Sequence, residues 1–155
     1  MIIRDFLIKT LSTFFYAGYL PLIPGTFASM VGLWLYYFIK DNPATYLILT
    51  FSLIILGFII SGRAEKIFHK KDHRAIVIDE VCGMLLSLLF IPFDPRFAII
   101  AFFIFRLLDT VKPYPANRFQ ELKGSAGVMS DDIVAGLYTN VILQAVVRFT
   151  SFRTS

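Results

Sequence analysis

Residues 44–60 read ATYLILTFSLIILGFII, seventeen residues in a row without a charged side chain. A helix that crosses the hydrocarbon core of a bilayer needs about 20 apolar residues, with a usual range of about 17–25. This stretch therefore predicts a membrane-spanning helix. Four further apolar runs occupy residues 27–39, 76–93, 97–108 and 133–147, and prolines mark the turns between them. The chain is thus predicted to be all-α, a polytopic membrane helical bundle of about five apolar helices.

The composition supports a membrane protein rather than a soluble domain. Hydrophobic residues make up 57% of the chain and aromatic residues 16%, and the mean hydropathy is +0.70, above the values of ordinary soluble domains. The net charge of +4 does not indicate nucleic acid, because the basic residues lie between apolar runs. Lipid head groups of the bilayer are the expected partners. The single Cys82 excludes an intramolecular disulfide.

The start of the chain differs in pattern from the rest. Within residues 6–20, apolar side chains recur at helical spacing, and Lys9 lies elsewhere on the helix. This pattern predicts an interfacial or re-entrant helix in residues 1–22. Residues 23–155 are then predicted to form the helical bundle. With no repeat or composition break between them, the two parts make a single membrane-embedded domain, 1–155.

The distribution of lysine and arginine along the chain predicts the orientation of the bundle in the membrane. Cytoplasmic loops of membrane proteins carry an excess of these residues. If the loop between Arg63 and Arg74 is cytoplasmic, eleven of the fifteen basic residues lie on that side. The same topology brings the start of the 76–93 run, the end of the 97–108 run and the start of the 133–147 run to the cytoplasmic face.

Five carboxylates lie within these runs or at their ends: Asp79, Glu80, Asp109, Asp131 and Asp132. A charged group at the centre of a membrane helix costs about 2.5–3.5 kcal/mol on insertion scales, so such residues usually serve a function. The predicted topology gathers all five at one face. Mg²⁺ takes one or two carboxylates together with water and substrate phosphate oxygens. We therefore predict a magnesium-dependent phosphate site, with these five acids as metal ligands and catalytic residues.

Simpler explanations exist for some of these acids. Ser130 is a good helix N-cap, and the dipole of a helix starting there would stabilise Asp131 and Asp132 in its first turn. Arg106 precedes Asp109 by three residues, which allows an ion pair within one helix. The acid pair in the 76–93 run has no such local partner.

Several residues near the acids are candidates for binding the substrate phosphate. Arg106 and Lys112 can neutralise a phosphate dianion, although Lys112 can equally be an ordinary counterion of the carboxylates. The small residues that end at Gly127 form either a plain turn or a backbone cradle for phosphate. Thr26, at the start of the first run, reaches the same face.

Two histidines offer an alternative metal site. His69 and His73 are four residues apart, which suits two ligands on one helical face. Their basic neighbours Lys70, Lys71 and Arg74 favour solvated interfacial residues instead. We adopt the solvated interpretation and keep metal binding as the alternative.

Three other phosphate chemistries lack their motifs. Cys82 is followed six residues later by Leu88 and not by arginine, so the phosphate loop of cysteine phosphatases is missing. The chain has no G-x-x-x-x-G-K-[ST] loop, which excludes a P-loop NTPase. It also has no D-x-D pair, which an aspartyl-phosphate mechanism would require.

Four strings in colinear order resemble bacterial phosphatidylglycerophosphatase A: PGTFAS (24–29), DHRAIVIDEVCGM (72–84), FRLLDTVKPYP (105–115) and GSAGVMSDDIVAG (124–136). Together they are far more specific than any one alone. The resemblance implies a multi-pass enzyme of the bacterial inner membrane in phospholipid biosynthesis, with its active site on the cytoplasmic face. It implies magnesium-dependent hydrolysis of phosphatidylglycerophosphate to phosphatidylglycerol and phosphate.

Other functions compete with this one. A CDP-alcohol phosphatidyltransferase also uses magnesium and a lipid head group, but its D-G-x-x-A-R motif needs an Asp-Gly dipeptide that the chain lacks. A small ion or proton transporter would use intramembrane carboxylates, and it predicts them near mid-bilayer instead of at helix ends. A lipid-binding scaffold would bind the same head groups without turnover.

Overall fold

The computed structural model describes the backbone of residues 2–151 and the side chains of residues 3–149. That part of the chain consists of helices and their connections, without a strand, which confirms the predicted all-α class. The predicted domain, residues 1–155, extends beyond it at both ends. The α-helices in chain order are α1 Ile2–Ser12, α2 Pro24–Ile39, α3 Pro43–Phe68, α4 Ile78–Ser87, α5 Pro95–Val111, α6 Ala116–Phe119 and α7 Ser125–Ser151.

Two of the described helices are long and apolar enough to cross a membrane. α3 has 26 residues and a mean hydropathy of 2.2, and residues Ser125–Phe149 of α7 have a mean hydropathy of 1.2. α2, α4 and α5 have only 16, 10 and 17 residues. At about 1.5 Å per residue, ten residues extend about 15 Å, half of a hydrocarbon core. The predicted number of about five apolar membrane helices is therefore not confirmed.

The apolar run of residues 76–93 does not form one helix. α4 ends at Ser87, and Phe90 takes a left-handed backbone conformation with a φ of 59°. α4 packs against α2, α3, α5 and α7, and all its residues except Glu80 are buried. A helix that is apolar on nearly all sides belongs in a core. α4 is thus the central helix of the bundle, and Cys82 is one of its buried side chains.

α4 and α7 approach each other closely because glycines lie at their crossing. A Cβ atom on Gly136 would lie 2.6 Å from the Gly83 carbonyl oxygen, and one on Gly83 would lie 2.8 Å from the Asp132 carbonyl oxygen. A side chain at either position would push the helices apart. Further along α7, Asn140 donates a side-chain hydrogen bond to the Leu89 carbonyl oxygen, 2.7 Å away. These contacts fix the start of α4 beside the acidic part of α7.

The N-terminal segment is helical only in part. α1 ends at Ser12, and residues 14–16 have positive φ angles of 45°, 53° and 70°. These angles interrupt the helical pattern predicted within residues 6–20, and a short 3-10 helix, Ala17–Tyr19, follows. α1 packs against α3, and the Val77 N–H donates to the Ser12 carbonyl oxygen at 2.9 Å. The segment therefore anchors the start of α4. Its interfacial or re-entrant position in a membrane stays a prediction.

Candidate active site

A polar cavity of about 280 Å³ lies at one end of the bundle. It forms where α2 and α4 begin, α5 ends and α7 passes. All five acids singled out in the sequence line this cavity, and so do Arg106 and Lys112. Three separate apolar segments thus bring their acids together, as the predicted topology requires. The roles of these acids as metal ligands and catalytic residues stay predictions.

Asp79 and Glu80 lie in the first turn of α4. The backbone N–H groups of a first turn carry partial positive charge, which stabilises acidic side chains. That effect operates at exposed helix ends, whereas only 6% of the Asp79 surface is exposed. The helix dipole therefore does not explain why Asp79 is buried.

Asp131 and Asp132 lie about two turns into α7, because that helix begins at Ser125. Ser130 is inside the helix, so the alternative in which Ser130 caps the helix and the acids occupy its first turn is wrong. Gly124, with a φ of 67°, immediately precedes the true start. The two acids are 5% and 3% exposed. They are buried mid-helix carboxylates that need another explanation.

The carboxylate oxygens form two groups with metal-ligand spacing. Asp79, Glu80 and Asp132 make one group, and Asp109, Asp131 and Asp132 make the other. Within each group, one oxygen from each residue lies within 4.8 Å of the others. Asp132 belongs to both groups. α4, α5 and α7 all contribute, so the arrangement exists only in the folded bundle.

Four oxygens of these acids are buried without a hydrogen-bond partner among the described residues: Asp79 Oδ1, Glu80 Oε2, Asp131 Oδ1 and Asp132 Oδ2. An unpaired buried polar group costs about 1–3 kcal/mol, and a charged one costs more. A hard divalent cation prefers carboxylate oxygens as ligands and would satisfy these atoms. The donor set therefore fits Mg²⁺.

Two cations from α5 are already engaged by acids. Arg106 Nη1 lies 2.7 Å from Asp109 Oδ2 on the same helix, which confirms the ion pair considered from the sequence. Lys112 Nζ lies 2.5 Å from Asp131 Oδ2 and so connects α5 to α7. Burial lowers the pKa of Lys112, whereas the hydrogen bond to Asp131 and the nearby carboxylate charges raise it. The second effect is larger, so the pKa of Lys112 lies above the usual value. Lys112 is a protonated counterion at neutral pH.

The family described as Phosphatidylglycerophosphatase A matches residues 10–147, a range that includes every residue of the cavity. The chain belongs to the phosphatidylglycerophosphatase A family. The resemblance of the four sequence strings is thereby confirmed. Membership and the names of two relatives support phosphatidylglycerophosphatase activity, which is hydrolysis of a phosphoric monoester.

Relatives resemble the chain over most of its length. A Phosphatidylglycerophosphatase A of Escherichia coli is 34% identical over 132 residues, which cover 83% of this chain and 77% of that protein. Another of Haemophilus influenzae is 30% identical over 143 residues, covering 90% and 88%. A protein of Bacteroides thetaiotaomicron, provisionally named phosphatidylinositol-3-phosphatase, is 34% identical over 150 residues, covering 90% and 92%. No solved structure matches the chain.

In this phosphatidylglycerophosphatase A family member, the cavity also includes Asp72 and Arg74, whose place there was not predicted from the sequence. Arg74 forms no ion pair with any described side chain. Asp72 Oδ2 accepts a hydrogen bond from Gln120 Nε2 at 3.2 Å, which links its loop to the segment before α7. Both residues belong to the string DHRAIVIDE, which ends with the α4 acids. That position is the sequence feature that could have identified them.

Two predicted phosphate-binding residues do not line the cavity. Thr26 and Gly127 are not among its lining residues, and a Cβ on Gly127 would lie 2.2 Å from the Leu122 carbonyl oxygen. Gly25, next to Thr26, does line the cavity, and a Cβ there would lie 2.3 Å from Glu80 Oε1. The absence of a side chain on Gly25 lets α2 start beside Glu80. Phosphate binding by Thr26 and Gly127 stays a prediction.

The two histidines have other contacts. Neither belongs to a group with metal-ligand spacing among the described residues. His69 follows the last residue of α3 in a left-handed conformation. The His73 ring stacks on Phe68, with centroids 4.5 Å apart, and its Nδ1 accepts a hydrogen bond from the Ala75 N–H. The stacking and the hydrogen bond account for the orientation of the His73 ring.

Proposed function

We propose that this family member hydrolyses phosphatidylglycerophosphate to phosphatidylglycerol and phosphate in its polar cavity, in a reaction that depends on Mg²⁺. The observation that carries this proposal is the set of four buried carboxylate oxygens without hydrogen-bond partners. Such oxygens are unfavourable in the protein alone and become favourable as ligands of a divalent cation. The cation would also allow a phosphate dianion to approach five acids that otherwise repel it.

The names of the relatives support the substrate class. Two are phosphatidylglycerophosphatases and the third is provisionally a phosphatidylinositol-3-phosphatase. All three names describe a phosphate monoester on a phospholipid head group. We select phosphatidylglycerophosphate because the matching family is described by that activity.

The proposed Mg²⁺ ligands are the five acids that line the cavity: Asp79, Glu80, Asp109, Asp131 and Asp132. A bound divalent ion neutralises phosphate charge and lowers the pKa of bound water. Because the acids come from three helices, the fold holds them close together before any ligand arrives. This is the arrangement that electrostatic catalysis of phosphoryl transfer requires.

The basic residues of the cavity bind the phosphate group of the substrate. Arg74 has no carboxylate partner within the described part of the chain, so we assign it to the phosphate oxygens, with Lys112 and Arg106 held nearby by their acids. Water attacks phosphorus and gives a proton to a cavity carboxylate, and the bond from phosphorus to the glycerol oxygen breaks. The same carboxylate then gives this proton to the glycerol oxygen as phosphatidylglycerol leaves, so the carboxylate returns to its starting state. No phospho-enzyme is needed for this balance.

The orientation in the membrane is part of the proposal. The cavity lies at the end of the bundle where α3 ends and α7 begins, and Lys66, Lys70, Lys71 and Lys123 line a second depression at that end. By the positive-inside rule, this end faces the cytoplasm. We therefore propose a multi-pass protein of the bacterial inner membrane whose acyl substrate chains stay in the bilayer.

Phosphate release from phosphatidylglycerophosphate tests the function. We expect the full-length protein in detergent to release phosphate with Mg²⁺ and to stop when a chelator is added. Asp109→Asn should abolish release without preventing membrane insertion. The matched control is Asp41→Asn, which removes an exposed acid at the opposite end of α2 and should keep full activity.

The outcomes separate the competing functions. Release that persists in chelator would contradict Mg²⁺ dependence. Near-normal turnover by Asp109→Asn would contradict the assigned site. No release with or without Mg²⁺ would favour an ion transporter or a lipid-binding scaffold.

A further inference from the structure

An apolar groove of about 570 Å³ lies between α2 and the segment that precedes it. One wall consists of residues 14–17 and Leu20, and the other consists of Val31, Trp34 and Leu35 on α2. None of these lining residues carries a charge. The groove and the polar cavity share no described residue. An apolar groove of this kind suits a hydrocarbon ligand and not a head group.

The α2 wall lies beside the face that this helix packs into the bundle. Ala28, Gly32 and Tyr36, spaced four residues apart, are buried. On the neighbouring face Leu35 is only half-buried, and Trp34 is 62% exposed. α2 therefore presents a large aromatic side chain to the groove while its other face is fixed in the core.

Both walls of the groove are attached to the rim of the polar cavity. Gly25, in the first turn of α2, lines the cavity. On the other wall, Gly18 packs so closely on the loop before α4 that a Cβ there would clash with the Ala75 carbonyl oxygen. The next residue of that loop, Ile76, lines the cavity. The fold therefore holds the groove at a fixed position relative to the cavity.

The wall that precedes α2 has a strained backbone. Phe14, Phe15 and Tyr16 have positive φ angles of 45°, 53° and 70°. Bulky residues rarely adopt this left-handed conformation, and strain of this kind concentrates at sites that bind ligands. Phe15 and Tyr16 are also exposed. The strained turn thus presents aromatic side chains to the groove instead of burying them.

We propose that this groove binds one acyl chain of the phospholipid substrate while the terminal phosphate lies in the polar cavity. The inference rests on the proposed function, since its ligand is the substrate of that site. In phosphatidylglycerophosphate, two glycerol units and a phosphodiester separate the terminal phosphate from the acyl chains. An acyl chain must therefore begin outside the cavity that holds the phosphate.

The position and direction of the groove match that requirement. Val31 follows Gly25 by six residues and Trp34 follows it by nine, which is about 9 Å and about 14 Å along the helix. With the cavity at the cytoplasmic end, α2 leads from the head groups toward the interior of the bilayer. An acyl chain of a phospholipid in that leaflet extends in the same direction. The substrate chain thereby remains in the bilayer and also contacts the protein.

Trp34 is the single tryptophan of the chain, so its fluorescence reports on this groove in the unmodified protein. Bromine atoms on an acyl chain quench tryptophan emission on contact. The full-length protein in phosphatidylcholine nanodiscs with Mg²⁺ is titrated with a non-hydrolysable phosphonate analogue of phosphatidylglycerophosphate that has brominated acyl chains. Brominated phosphatidylcholine is the matched control lipid. We expect the analogue to cause a larger, saturable loss of emission at the same mole fraction, and excess unbrominated analogue to restore it.

The outcomes distinguish a substrate site from ordinary contact with the bilayer. Equal quenching by the two lipids would show that bulk phospholipid fills the groove and would overturn the inference. Quenching by neither lipid, as when a second copy of the chain covers the groove, would overturn it as well. Phosphate release from phosphatidylglycerophosphate is measured on the same preparation. Normal release with equal quenching contradicts the groove alone, whereas absent release contradicts the proposed function.

Kinetics with the acylated substrate give a second test. Trp34→Ala should raise KM by about tenfold and leave kcat unchanged, because it removes apolar contact made equally in the ground state and the transition state. Phe103→Ala, which removes an exposed aromatic side chain of α5 outside the groove, is the matched control and should keep both constants. An unchanged KM in Trp34→Ala, or an equal rise in both variants, would overturn the inference.

Discussion

Lys112 Nζ and Asp131 Oδ2 lie 2.5 Å apart, although 19 residues separate them in the sequence. Their ion pair joins the end of α5 to α7, and both residues line the cavity. The side chain of Asp131 is 6% exposed and that of Lys112 is 23% exposed. Without Lys112, a buried carboxylate would have no counterion. The pair therefore contributes both to the packing of two helices and to the charge of the site.

Lys112→Gln removes this counterion while keeping most of the side-chain volume. A hydrogen bond to a charged group contributes about 1.5–3 kcal/mol, so we expect a loss of stability of that size and a fall in kcat/KM. Thermal unfolding and phosphate release measure the two effects. Lys123→Gln changes an exposed lysine that forms no ion pair with a described residue, and it is the matched control. Equal behaviour of the two variants would contradict the role assigned to Lys112.

The pH dependence of this pair follows from the raised pKa of Lys112. A group whose pKa is higher in the folded state contributes stability that is complete below the unfolded pKa and is lost as pH rises through the folded pKa. The unfolded pKa of lysine is about 10.4. The difference in Tm between the wild type and Lys112→Gln should therefore stay constant from about pH 7 to about pH 9 and shrink above about pH 10.4. A decline within the lower interval would contradict this assignment.

Arg74→Ala removes a cavity cation that has no carboxylate partner among the residues the structure describes. Losing a charge-assisted contact of about 1.5–3 kcal/mol to the substrate corresponds to a fall of about 10- to 150-fold in kcat/KM. Because Arg74 is exposed, the Tm of the variant should barely change. Arg63→Ala removes an exposed arginine of α3 that does not line the cavity and should keep normal kinetics. A large loss of stability in Arg74→Ala would indicate a structural role instead.

The sequence predicts the meeting of the five acids but not the reason for their burial. The order of the apolar runs and the positions of the basic loops predict that Asp79, Asp109 and Asp131 lie at one end, although the 76–93 run does not form one helix. The burial of the short central helix α4 depends on its close contact with α7. That contact requires a glycine at position 83, and a hydropathy pattern does not show such packing. The same limit applies to Arg74, since a loop residue reaches the cavity only through the fold of its neighbours.

Gly25→Ala tests the contact between α2 and the site. The added Cβ would lie 2.3 Å from Glu80 Oε1 and 3.3 Å from Arg106 Nη1, so Glu80 must move. Because the nearest atom belongs to the end of a flexible side chain, we expect little change in Tm but a clear fall in kcat/KM. The double variant Gly25→Ala with Glu80→Asp should relieve the contact, although it also shortens a proposed ligand. Unchanged kinetics in Gly25→Ala would show that the position of Glu80 does not matter.

Asp79→Asn should have opposite effects on stability with and without metal. In chelator, the variant removes a buried carboxylate whose Oδ1 has no partner and which lies beside two other unpaired acids. Like charges in a buried site destabilise the folded state, so we expect a higher Tm than in the wild type. With Mg²⁺ at about 100 times its Kd, the wild type should gain about 2.7 kcal/mol, or about 5–10 °C in Tm, and the variant should gain less.

The sign of the Tm difference between Asp79→Asn and the wild type, measured in chelator and in Mg²⁺, distinguishes a metal ligand from a structural acid. A structural Asp79 would lower Tm on substitution under both conditions, since its neighbours would lose a partner. A ligand lowers Tm only when the metal is present, because its charge is unfavourable until a cation compensates it. Asp41→Asn should follow the wild type in both series, as its exposed carboxylate pairs with Lys40 away from the cavity. A lower Tm of Asp79→Asn in chelator would therefore contradict the assignment of this residue to the metal.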